Sequence, residues 1–448
     1  NMRASTIFAL ASGRGRAGIA VVRISGPKAR NAAAKLTERD LPVRRAVRVD
    51  LRDPANQELL DQGLGIFFPG PASFTGEDVV ELHVHGGIAV VDGVLKVLSA
   101  FEGLRLAEPG EFTRRGFEND KLDLTAAEGV ADLVEAETAA QRRQALSQMG
   151  GALAVFCAAG RTRLIEALAH WEAAIDFSEE ELPPDLEQRV VKAVSELSGD
   201  IEVQLSDGHR GERLRQGVEV AIVGVPNVGK SSLLNRLARR DAAIVSATAG
   251  TTRDIIEVHF ELAGYPVILA DTAGLRDPGD EMEEEGVRRA VERAAQADMQ
   301  IVVIDGEVWP DIPSEARVWI SEDSLLVVNK TDVMGVELCE EVEGHEVVGV
   351  SAKTGAGIDE LLDQLEQRVA GIFADRPAPI VTRARHREAL EETCAALGRF
   401  LATTDRLSRP ELAAEDLRLA ARALGRITGS VDVEDLLDVI FADFCIGK

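Results

Sequence analysis

The segment GVPNVGKS (224–231) constrains the fold of this 448-residue chain more than any other. It follows a short apolar run, EVAIVG, and opens an amphipathic stretch, KSSLLNRLARR. A glycine-rich turn between a strand and a helix, closing on Gly-Lys-Ser, lets backbone N–H groups and the helix N-terminus cradle phosphate. Gly224 and Gly229 let the backbone wrap the phosphates. Lys230 can reach the outer ones, and the Ser231 hydroxyl can ligate Mg²⁺. Asn227, Val228 and Ser232 complete the predicted binding loop.

The surrounding residues, 218–370, alternate strand and helix. EVAIVG, YPVILA, MQIVVIDG, SLLVVNK and HEVVGVS are strand-length apolar runs, mostly separated by amphipathic helices. That pattern predicts a largely parallel sheet with helices on both faces. Four further segments fall in the order a guanine-nucleotide site requires. Thr252, in GTTRD, can supply a second hydroxyl on the Mg²⁺ side. Asp271 ends YPVILA and can hold Mg²⁺ through water, while Thr272, Ala273 and Gly274 bring a backbone N–H to the γ-phosphate. In NKTD, Asn329 and Lys330 lead to Asp332, which can accept from the guanine N1–H and exocyclic amine. Adenine presents the wrong pattern, so a buried pairing would reject ATP. In SAK, Ser351, Ala352 and Lys353 follow another strand, and the Ala352 N–H can meet guanine O6.

Leu275 follows DTAG where small signalling GTPases carry a water-orienting glutamine. Leucine can neither accept nor donate a hydrogen bond, so the missing catalytic parts must come from elsewhere. The Asn227 side-chain oxygen can hold a monovalent cation against the phosphates, with Ser246, Thr248 and Thr251 completing its shell. Such a cation would replace an arginine finger, worth about 10³–10⁵ in rate. Downstream, DEMEEEGVRRA supplies carboxylates. On charge alone, any one of them reads either as a water-positioning group or as a solvated acidic helix start.

Composition excludes some classes. A net charge of −26 argues against a protein that coats nucleic acid non-specifically, since phosphate contacts need a basic surface. It leaves room for a local patch such as TRARHR, whose Arg383, Arg385 and Arg387 read either as that patch or as a solvated basic helix start. No run approaches the ~18–20 apolar residues of a membrane helix. The first residues lack the apolar core and cleavage site of a signal peptide. Four scattered cysteines without a CxxC pair fit a reducing cytoplasm.

Four regions are expected along the chain. Residues 1–119 read as mixed α/β, with AGIAVVRIS and DVVELHVHG as strands and GGIAVVDGVLKVLSAF as a helix. Residues 120–212 are Ala/Leu-rich and helical, with DGHRGERLRQG (207–217) read as a linker. Residues 213–376 form the nucleotide-binding domain, and 377–448 are helical again. A helical region on each side of a complete α/β domain predicts one helical domain with the α/β domain inserted.

The motifs GVPNVGKS, AGTTRD, DTAGLRD with EMEEEG, the opening GRGRAGIAVVRISGP, FTGEDVVELHVHGG, PGEFTRRGFENDKLDL and the closing CIGK together resemble the MnmE (TrmE) family of tRNA modification GTPases. The resemblance spans essentially the whole chain. It implies an N-terminal α/β folate-binding and dimerising domain, a helical domain, and an inserted Ras-like P-loop GTPase domain. It also implies a cytoplasmic homodimer working with an FAD-dependent partner, MnmG, in a heterotetramer. Together they would add an aminomethyl or carboxymethylaminomethyl group to C5 of the wobble uridine of tRNA. The carbon would come from 5,10-methylene- or 5-formyl-tetrahydrofolate, with GTP as substrate and Mg²⁺ and K⁺ as cofactors. By this resemblance, Asn227, Ser246, Thr248 and Thr251 hold K⁺, and Glu283 orients the attacking water. Arg23, Glu81, Lys121 and Lys448 are the folate contacts, and Cys445 is a candidate reactive thiol. A carboxylate such as Glu81 suits the pterin amine and ring N–H. Glu81, His83 and His85 share one face of their strand, which reads either as a metal site or as the polar wall of a pocket. The competing functions are a ribosome-assembly or RNA-binding GTPase switch without modification chemistry, and a self-assembling mechanical GTPase.

Overall fold

A computed structural model describes residues 5–176, 186–207, 209–240, 243–244, 257–271, 295–322, 324–334, 338–339, 341–373, 378–404, 406, 409–431, 434–442 and 444–447. Contacts divide the chain into two compact units, 1–131 with 148–198 and 389–448, and 132–147 with 199–388.

The first unit starts with β1 (Thr6–Leu10), β2 (Ala17–Ser25), α1 (Ala29–Thr37), β3 (Val47–Arg52), β4 (Leu59–Phe68), β5 (Val79–Gly86), α2 (Ile88–Ser99), β6 (Leu104–Leu106) and α3 (Glu111–Glu118). The strands form one sheet in the order β3-β4-β5-β2-β1-β6, antiparallel except where β6 joins β1. Alternation decides its faces. Val22 and Ile24 of β2 and Val80 and Leu82 of β5 point into a core closed by Ala33 and Leu36 of α1 and Val94 and Leu98 of α2. The intervening residues, Arg23 and Glu81 among them, line the opposite face. There Phe112 of α3 packs on Ile7 and Ala9 of β1.

The expected long helical stretch is broken into α4 (Leu124–Glu135), α5 (Ala139–Met149) and α6 (Ala152–Asp176), followed by α7 (Leu186–Leu205) and α8 (Arg210–Gln216). The break before α5 is fixed by Gln141, whose Oε1 accepts from the Glu137 and Thr138 N–H groups at 3.0 Å. The next break is at Gly151, whose φ of +86° suits glycine. The linker expected at 207–217 is largely α8. Tertiary packing makes it helical: Gly211 lies so close to Val381 that a Cβ would meet its carbonyl oxygen at 1.9 Å, and Arg210 is buried.

The second unit carries the larger sheet. Its elements are β7 (Val218–Val223), α9 (Lys230–Leu237), β8 (Ala243–Ile244), β9 (Glu257–Leu262), β10 (Tyr265–Asp271), β11 (Met299–Asp305), α10 (Ser314–Arg317), β12 (Ser324–Asn329), β13 (Glu341–Val342), β14 (His345–Gly349) and α11 (Ile358–Phe373). The order is β13-β14-β12-β11-β7-β10-β9-β8. The five central strands, β14 to β10, are parallel. All five apolar runs of the sequence form strands, because residues buried on both faces of a parallel sheet are apolar without alternation. The chain leaves β7 for β9 and β10 on one side and later passes to β11 on the other. The end of β7 is therefore a topological switch point, where open α/β sheets bind ligands.

The chain closes with α12 (Ala384–Ala402), α13 (Pro410–Thr428) and α14 (Glu434–Ala442). Helix α13 packs along α6, and Trp171 of α6 donates its indole N–H to the Pro410 carbonyl at 3.0 Å. These helices, from the two sides of residues 199–388, thus belong to one compact unit.

Candidate functional site

The phosphate loop leaves β7 at the switch point and enters α9. Its backbone is one that only particular residues adopt. Gly224 has φ +147° and Gly229 φ +94°, while Asn227 sits in the left-handed region at +65°. A Cβ on Gly224 would lie 2.4 Å from the Val303 carbonyl oxygen of β11. Lys230 is buried, and its ammonium donates to the carbonyls of Gly224 (2.8 Å) and Val225 (3.0 Å), which hold it against the loop. Ser231 and Ser232 are exposed on the first turn of α9, where their hydroxyls can meet a phosphate-bound cation.

The three loops expected to bind nucleotide meet through Asn329. Its Nδ2 donates to the Val228 carbonyl at 2.7 Å, and its Oδ1 accepts from the Ala352 N–H at 3.0 Å. Asp332 accepts from the Ser351 hydroxyl at 2.7 Å, and Lys353 lies 4.0 Å from its other oxygen. The Ser351 hydroxyl holds the Asp332 carboxyl below the usual carboxylate range, so the group is an anion that accepts N–H bonds. Lys330 has left-handed backbone (φ +65°), and its ammonium reaches Asp305 at 2.5 Å, which raises its pKa. These residues gather beside the phosphate loop, with a carboxylate able to accept paired N–H donors such as those of guanine. Sequence reasoning named Asn329 but not its double tie, and it missed Asp305.

Asp271 ends β10 as expected. Ser246, Thr248, Thr251, Thr252, Thr272, Ala273, Gly274, Glu283 and Lys448 lie outside the described residues, so the K⁺ shell and the attacking-water site rest on sequence alone. Only Asn227, exposed at the loop tip, is described from the cation set.

A second cluster forms on the open face of the N-terminal sheet. Arg23 and Glu81 are directly opposed across β2 and β5. The guanidinium donates Nε–H and Nη2–H to Glu81 Oε1 at 3.0 and 2.9 Å. The rings of Phe74 and Phe112 each lie 5.7 Å from the guanidinium carbon. His83 Nε2 stands 3.6 Å from Glu81 Oε2, buried and with no hydrogen bond among the described residues. His85 turns instead to Asp61, at 2.8 Å. No group of three metal-binding side chains occurs among the described residues, and the polar-wall reading accounts for what is seen. Lys121 is exposed, beside the loop that carries Phe74: its Cγ would lie 3.3 Å from a Cβ on Gly76. The C-terminal CIGK segment returns to this unit. Ile446 bridges Pro109, and Gly447 sits where a Cβ would meet the Leu10 carbonyl of β1 at 2.2 Å. Cys445 is exposed there with a free thiol. Sequence reasoning missed Phe74 and Phe112. The signal was present in FTGED and PGEF, but only the fold sets them beside Arg23.

Two arginines of the basic TRARHR segment are tied into the fold by ion pairs. Arg383 reaches Asp132 at 2.6 Å, and Arg387 reaches Glu212 at 3.0 Å.

Comparison with known proteins finds matches along nearly the whole chain. Residues 6–121 match the family described as "GTP-binding protein TrmE N-terminus", and residues 124–445 match the "MnmE helical domain". A protein of Paramagnetospirillum magneticum named tRNA modification GTPase MnmE is 55% identical over 99% of each chain. A namesake from Parvibaculum lavamentivorans is 56% identical over 99% of this chain and 100% of its own. A Danio rerio protein, "5-taurinomethyluridine-[tRNA] synthase subunit GTPB3, mitochondrial", is 47% identical over 99% of this chain and 93% of its own.

Proposed function

The chain belongs to the MnmE (TrmE) family of tRNA modification GTPases, and on that premise we propose how its two clusters divide the work. It is a GTP-hydrolysing enzyme of tRNA modification. The carrying observation is the joined loop set: Asn329 ties the phosphate loop to the SAK loop, and Asp332 stands ready as a guanine acceptor. Lys230 and the loop N–H groups hold the phosphates, with Ser231 and Thr252 toward Mg²⁺.

For hydrolysis, Asn227 with Ser246, Thr248 and Thr251 hold K⁺. When bound, K⁺ supplies the positive charge that an arginine finger gives elsewhere. Glu283 orients the attacking water in place of the glutamine that Leu275 displaces. The N-terminal cluster receives a tetrahydrofolate. Its residues fit such a group: Glu81 Oε2 and the buried His83 Nε2 have hydrogen-bonding capacity left among the described residues, and Arg23 and Lys121 supply cations. The bound folate would supply the one-carbon unit, with Lys448 as a further contact and Cys445 as a candidate thiol. The protein acts as a homodimer in the cytoplasm with the FAD-dependent MnmG, on the wobble uridine of tRNA. Among the described residues no helix is long and apolar enough to cross a membrane, and the described cysteines are free thiols.

The test is GTP turnover by the full chain in KCl and in NaCl at equal ionic strength, beside Asn227→Ala. Stimulation by K⁺ that the variant loses supports the cation role. Equal rates in both salts would overturn it and direct the search to a residue supplied in trans.

A further inference from the structure

Phe74 is 37% exposed, yet its loop is held by one of the most buried charge networks in the described chain. Arg115, 5% exposed, donates Nη1–H to both Glu77 carboxylate oxygens (3.1 and 3.0 Å) and to the Ser5 carbonyl (3.0 Å). Its Nη2 donates to Glu111 at 2.9 Å, and Glu111 also takes a two-pronged bond from Arg105. Ser25 donates to Glu77 at 2.7 Å and meets the Thr75 hydroxyl at 2.7 Å, while Asn119 donates to the Thr75 carbonyl at 2.7 Å. The loop thus has fixed partners on β2 and α3. Burying charges is costly unless each is paired, and satisfied networks of this kind hold a backbone in one arrangement. Between Ser73 and Glu77 the exposed side chain is that of Phe74. A lone exposed apolar side chain is ordinary. One held rigidly against Arg23, beside a carboxylate oxygen and an imidazole nitrogen with bonding capacity to spare, is a ligand surface.

We propose that Phe74 is the stacking residue of the N-terminal site, its open ring face packing on the flat heteroaromatic end of the ligand that Glu81 and Arg23 hold. Glu77 is a positioning residue: it touches no ligand and sets Phe74 through Arg115. Phe112, fully buried and also against Arg23, is packing. The inference rests on the folate reading of this site and adds the residue that selects a flat ring.

The experiment is calorimetric titration of the full chain with 5-formyl-tetrahydrofolate, with GDP affinity and melting temperature measured on each variant. Phe74→Leu weakens folate binding on the order of 10-fold, as loss of a stacking face does, and leaves GDP affinity and melting temperature unchanged. Phe74→Tyr, which keeps the ring, binds as wild type. Glu77→Gln weakens binding in the wild-type background but adds nothing in the Phe74→Leu background. That non-additivity separates positioning from general destabilisation. Wild type and Phe74→Leu binding folate equally would overturn the proposal while leaving the folate reading intact. Wild type failing to bind folate would overturn both.

Discussion

The Asn329 amide donates to the carbonyl of Val228 at 2.7 Å and accepts from the Ala352 N–H at 3.0 Å, so one buried side chain joins three nucleotide loops. Asn329→Ala strands a carbonyl and an N–H. Each group left unsatisfied costs about 1–3 kcal/mol. The variant should melt several degrees lower and lose guanine-nucleotide affinity by about 10- to 100-fold. Thermal melts with and without GDP, and fluorescent-nucleotide titration, measure both. Unchanged affinity would show that the tie does not organise the site.

Gly229 is the tightest point of the same junction. A Cβ there would stand 2.3 Å from Asn329 Nδ2, and the φ of +94° already disfavours any other residue. Gly229→Ala should therefore cost more than Asn329→Ala in nucleotide binding, because it displaces the amide and strains the loop at once. Combining the two substitutions should cost less than the sum of the single losses, since both act on one contact. Strict additivity in the titrations would contradict that common cause.

The candidate nucleotide site was legible in sequence because its motifs are short and contiguous. GVPNVGKS, NKTD and SAK each place their chemistry within a few residues, at the end of an apolar strand that a parallel sheet makes unmistakable. What sequence hid was set by contacts distant along the chain. The helix over Arg210–Gln216 reads as a loop from its glycine and charges, and only packing of Gly211 on Val381 makes it helical. Arg383 and Arg387 read as surface charges until the fold brings Asp132 and Glu212 to them. In the N-terminal unit, strand alternation put Glu81 and His83 on one face, but nothing local reveals that Phe74 lies over Arg23.

On the proposed reading, Asp332 decides which base is read. Its carboxylate accepts from two N–H groups, whereas an amide in its place offers a donor. Asp332→Asn should weaken GTP binding by at least about 100-fold, as expected where a site's polar groups are mispaired. It should favour xanthosine triphosphate, whose ring carries a carbonyl where guanine carries the amine. Competition between the two nucleotides reads this directly. The Ser351 hydroxyl keeps the wild-type carboxyl charged below its ordinary range, so its acceptor role persists from neutral pH into mild acid. Retained guanine preference in the variant would refute the assignment.

Glu111 should govern the acid limit of the N-terminal sheet. Burial pushes its pKa up, but hydrogen bonds from Arg105, the Glu108 N–H and Arg115 outweigh burial and leave it below the ordinary 4.5. A carboxyl lowered in the folded state is more easily protonated when unfolded. Its contribution is thus complete above pH 4.5 and drains away as pH falls from there through the lower folded value. Stability at pH 6 to 8 should be indifferent to this group. Glu111→Gln should lose about 3 kcal/mol at neutral pH, because Arg115 is then buried with less charge to face. The gap between variant and wild type should close as pH falls below the ordinary carboxylate range. Urea unfolding followed at successive pH values measures that gap, and a difference that stays constant into acid would show that Glu111 is not ionised by its arginines.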